Sequence, residues 1–79
     1  MLHPIRKEYY KCVGNYHIDT IYTEDDGWQT LIWTDGEVAV AEQYYNHNGA
    51  QFGHEKWIER CEAKPYGIFD VVRCHFVEM

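Results

Sequence analysis

Serine does not occur anywhere in the 79 residues, so a serine nucleophile is excluded outright. Cysteine is scarce and widely spaced: Cys12, Cys61 and Cys74 are odd in number, and none has a second cysteine close by. A disulfide framework would leave one thiol over, so reduced thiols and a cytoplasmic location are expected. Wide spacing also argues against structural zinc, whose ligands come in close pairs. A site could be drawn only from Cys61, Cys74 and His75 with His47 or His54, and no metal or other cofactor is expected. His54-Glu55 lacks the second histidine of a zinc-protease helix, because Ile58 stands at that position. Gly49 and Gly53 are not followed by the Lys-Ser/Thr of a phosphate loop. No apolar run approaches the ~20 residues of a membrane span, and Met1 to Lys7 has no signal-peptide stretch. No membrane association is expected.

The most telling shortage is of cations. Between Cys12 and Glu55 there is no Lys or Arg, while Asp19, Glu24, Asp25, Asp26, Asp35, Glu37, Glu42 and Glu55 all fall there. Arg6, Lys7 and Lys11 precede that stretch, and Lys56, Arg60, Lys64 and Arg73 follow it, for a net charge of -6. Direct nucleic-acid binding is disfavoured, because phosphates need clustered cations. Solubilising an aromatic-rich protein is the plainest role for such acids.

What is present suffices for a fold. Hydrophobic residues make up 46% of the chain and aromatics 16%, far from a disordered composition. At this length a single domain spanning residues 1–79 is expected, and large rings, each burying roughly 150–250 Å², supply an economical core. Ile5 to Val13 reads as a strand ending at the Gly14-Asn15 turn signal. Tyr16 to Thr23 is a second strand and Trp28 to Thr34 a third, each closed by a turn ending in Asp-Gly. Glu37 to Tyr45 alternates Val38 and Val40 with Ala39 and Ala41, as a fourth strand does.

The period then changes. Ala50, Gly53, His54, Trp57, Ile58 and Cys61 recur at helical spacing, with Asn46 as N-cap, Tyr45 poised to staple onto Ala50, and Pro65 barring continuation. Tyr66 to Val77 reads as one last strand, with Cys74 and His75 on opposite faces. The expected fold is therefore α+β: an antiparallel β-meander of four to five strands packed on one α-helix at about residues 47–63.

The segments Trp28-Gln29-Thr30-Leu31-Ile32-Trp33, Ala41-Glu42-Gln43-Tyr44-Tyr45 and Ala50-Gln51-Phe52-Gly53-His54-Glu55 are similar to those of a group of very small phage-encoded accessory proteins. Members pair a short meander with a helix carrying Ala-x-x-Gly-His-Glu. The chain departs from them at the helix start, where His47, Asn48 and Gly49 stand in place of acids. The resemblance implies a non-enzymatic accessory role, such as anti-CRISPR-like inhibition of a host defence protein. Residues that would meet a basic, nucleic-acid-binding surface on that host protein are Glu24, Asp25, Asp26, Asp35 and Glu37, with Tyr22 and Trp28 as aromatic anchors. A meander with one helix also leaves a sheet face uncovered, and here both faces carry apolar residues. A small homodimeric structural or regulatory module is the alternative.

Overall fold

The computed structural model describes the backbone of residues 6–79 and side chains from Tyr9 onward. Four strands, β1 (Arg6–Val13), β2 (Tyr16–Thr23), β3 (Gly27–Trp33) and β4 (Val38–Tyr44), form an antiparallel sheet in that order. The expected start of the first strand at Ile5 lies outside the described residues. Helix α1 (His47–Glu62) follows, and then a hairpin of β5 (Gly67–Asp70) and β6 (His75–Glu78), which forms its own two-stranded sheet. The molecule is an α+β fold built on a β-meander.

Turn chemistry explains the meander. Gly14 and Gly27 sit at φ 58° and 71°, left-handed backbone that glycine adopts without strain. Between β2 and β3, Thr23 Oγ1 accepts the Asp26 amide at 3.0 Å and tightens the acidic turn. Register places Ile18 opposite Ile32, and Ile32 opposite Ala39. These residues and Ala41 form the sheet's share of the core, to which α1 adds Cys61 and the hairpin adds Ile68 and Val77.

The helix begins where Asn46 Oδ1 accepts the Gly49 amide at 2.8 Å. Ala50, Gly53, His54 and Cys61 are its buried positions, so the helical stripe is the face laid on the sheet. The expected staple does not form: Tyr45 is fully exposed at 106% and projects away from Ala50. Glu42 of β4 ties sheet to helix, meeting Lys56 Nζ at 2.5 Å and accepting Trp57 Nε1–H at 2.9 Å.

The single last strand expected over Tyr66 to Val77 is corrected to a hairpin. Asp70, with 0% exposure, accepts the amides of Val72 at 2.9 Å and Arg73 at 2.8 Å, turning the chain directly after β5. Cys74, at φ 58°, completes the turn, so Cys74 and His75 do not share a strand. The other Asp70 oxygen accepts the Val40 amide at 3.2 Å, and Val71 N–H donates to Val40 O at 2.9 Å. One buried carboxylate therefore shapes the hairpin and fastens it to β4.

Candidate functional site

The antiparallel order separates the acids expected to act together. Glu24, Asp25 and Asp26 occupy the β2–β3 turn, whereas Asp35 and Glu37 occupy the β3–β4 turn. Those turns lie at opposite ends of β3, whose seven residues at about 3.3 Å each set them roughly 20 Å apart. The other acids diverge further. Asp19 is buried on the sheet face turned away from α1, Glu42 is paired with Lys56, and Glu55 is exposed on the helix. No single surface collects them.

The β2–β3 end does gather aromatics around its three consecutive acids. Tyr22 and Trp28 are cross-strand partners with ring centroids 5.4 Å apart. Trp28 also pairs with Tyr44, which brings the end of β4 and the start of α1 to the same place. His47 enters there, 5.0 Å from the Trp28 ring and 5.8 Å from Tyr9, and its Nε2 hydrogen-bonds the Tyr9 hydroxyl at 2.8 Å. Tyr45 stands exposed beside them. The backbone of Arg6 pairs with that of Tyr22 at the same end.

His47, Tyr45 and Tyr9 are not among the residues expected to meet a partner. Sequence spacing gives no signal for them, because it does not show which strand end a helix start will reach. Of the expected residues, Tyr22, Glu24, Asp25, Asp26 and Trp28 come together, and Asp35 and Glu37 do not join them.

The histidines and cysteines from which a zinc site could be drawn are dispersed. Cys61 is 1% exposed in the core, where burial pushes its thiol up to about 11, and Cys74 is in the exposed hairpin turn. His54 is buried beneath the sheet, its Nδ1 hydrogen-bonded to Thr20 Oγ1 at 2.7 Å. Among the described residues, no three His, Cys, Asp or Glu side chains stand close enough to share a metal ion. Among the same residues, no helix is long and apolar enough to cross a membrane. No protein-family model matches the chain, and neither a curated protein nor a solved structure matches it.

Proposed function

We propose that this is a non-enzymatic binding protein whose β2–β3 end docks on a basic surface of another protein. The observation that carries the reading is the convergence of Glu24, Asp25 and Asp26 with the Tyr22, Trp28 and His47 rings. Acids at an exposed turn speed encounter with a cationic surface, and adjacent rings slow dissociation. The partner proposed, by analogy with the small phage accessory proteins that the sequence resembles, is a host defence protein that binds nucleic acid in a cationic groove. Asp35 and Glu37 play no part in this contact.

The test is capture from a bacterial lysate with three baits: the native chain, Asp25→Lys with Asp26→Lys, and Asp35→Lys with Glu37→Lys. A partner retained by the native and third baits, lost from the second, and released by competing duplex DNA is the expected result. Equal behaviour of the two charge-reversed baits would refute the reading.

A second reading, a homodimer, is favoured by a separate observation. Phe69 and Phe76 are directly paired on the outer face of the hairpin and each is 51% exposed, with Tyr66 edge-on to Phe76 and Val72 exposed nearby. Sedimentation velocity over a concentration series, on native protein and on Phe69→Ser, separates the two readings. A monomer at every concentration removes the dimer.

A further inference from the structure

The sheet face turned away from α1 carries a second constellation, remote in chemistry from the acidic end. Register sets Cys12 of β1 opposite His17 of β2, and His17 opposite Trp33 of β3. In the next row Tyr10 faces Asp19. Cys12 Sγ is 3.3 Å from His17 Nδ1, and the Tyr10 hydroxyl meets both, 2.8 Å from the sulfur and 2.5 Å from the nitrogen. The imidazole lies flat on the Trp33 indole, with centroids 3.7 Å apart and planes 8° from parallel. Trp33 Nε1–H in turn donates to Asp19 Oδ2 at 2.6 Å, and Asp19 is 4% exposed.

This is a nucleophile, a base within reach of it, and groups that fix the base. Activated thiols need all three. The buried carboxylate pins the indole, the indole holds the imidazole plane, and the imidazole Nδ1 lies within reach of both the Tyr10 hydroxyl and a sulfur on the edge strand. Cys12 itself is exposed. Tyr10 completes the arrangement: its phenol is pushed up to about 12, first by the hydrogen bond with Cys12, then by burial and by the charges of Cys12 and Asp19. Like any phenol at neutral pH it carries its proton, which it can donate to a developing thiolate.

We infer that Cys12 is a nucleophilic thiol, served by His17 as proton acceptor, that exchanges with small disulfides. The Sγ proton passes to His17 Nδ1, and the sulfur electron pair attacks one sulfur of the disulfide. The original S–S bond breaks, and the departing thiolate takes the proton back from the imidazolium. A mixed disulfide on Cys12 and one free thiol result, with the incoming disulfide as the oxidant. Exchange of this kind spreads negative charge over three sulfurs and suits an open sheet surface. Acyl transfer would instead require donors preorganised around an oxyanion.

Two further cysteines make the native protein its own control. Cys61 is sealed in the core, and Cys74 is exposed in the hairpin turn with its Sγ near Val71 O at 3.9 Å. The experiment treats native protein at pH 7 with neutral 4,4′-dithiodipyridine, follows 4-thiopyridone release, and assigns the modified thiol by peptide mass spectrometry. Cys12 should react about tenfold or more faster than Cys74, a margin typical of an activated thiol over an ordinary one. Cys12→Ser should remove the fast phase, and His17→Gln should bring Cys12 to the rate of Cys74. Equal rates for Cys12 and Cys74 in the native protein overturn the inference without any variant. An unchanged fast phase in folded His17→Gln overturns the role of the histidine.

Discussion

Gly53 and His54 show how much one position can carry. The Tyr44 ring crosses α1 so closely that a side-chain carbon at Gly53 would fall on it. Replacing glycine by alanine inside a helix ordinarily gains about 0.5–1 kcal/mol. Here displacing a half-buried ring costs about 1–3 kcal/mol, and the clash wins. Gly53→Ala should therefore lower the urea midpoint, whereas a propensity-only view expects a rise. The next residue, His54, starts a chain of side-chain hydrogen bonds: Nδ1 to Thr20 Oγ1 at 2.7 Å, Thr20 to Thr30 at 2.7 Å, and Thr30 Oγ1 to Tyr44 OH at 2.8 Å. Thr20 and Thr30 are each 0% exposed, so these polar atoms have exchanged water for one another. The helical period of the Gly-His pair was legible in the sequence. That the glycine makes room for Tyr44 was not, because Tyr44 belongs to a different element.

Among the elements, the hairpin depends most on a single side chain. Asp70→Ala would leave the amides of Val40, Val72 and Arg73 without their acceptor, at a cost of about 2–4 kcal/mol. Because the same carboxylate fastens the hairpin to β4, the loss should be local. Amide hydrogen exchange over residues 67–78 should quicken while β2 and β3 keep their protection, and uniform loss of protection would contradict this account. At the other boundary, Asn46→Ala removes the acceptor for the Gly49 amide and should cost about 1 kcal/mol in thermal or urea unfolding. The capping residue was readable from residue type and position. The hairpin turn was not: Val71 and Val72 are β-formers, and only contact with Val40 shows that Asp70 is the hinge.

At the scale of the whole molecule, acid should destabilise in two steps. Burial holds His54 below its ordinary value of 6.5, although the Glu55 and Asp19 carboxylates oppose this. Unfolding lets the imidazole take up a proton, so its contribution is whole above about pH 6.5 and falls as the pH drops towards the folded value. Burial alone would raise Asp70, yet the amides of Arg73, Val40 and Val72 hold it below 3.8. Glu42 likewise lies below 4.5, where burial is outweighed by Lys56 and Trp57. Their contributions persist above those ordinary values and fade as the pH falls through the folded ones. Urea unfolding of native protein and His54→Gln between pH 7.5 and 5 isolates the first step. The native chain should lose more stability across that window than the variant, and parallel curves would exclude His54 as the cause.

What the amino-acid order determined by itself was local: strands from alternating β-formers, turns from glycines that tolerate positive φ, and a helix from its stripe and cap. These depend on neighbours a few residues apart. Tertiary structure decided everything that needed strand ends to be placed in space. It separated Asp35 and Glu37 from Glu24, Asp25 and Asp26, because antiparallel strands put successive turns at opposite ends. It brought His47 to Trp28, and it set Cys12 beside His17 and Trp33, because register across a sheet joins residues that sequence distance keeps apart.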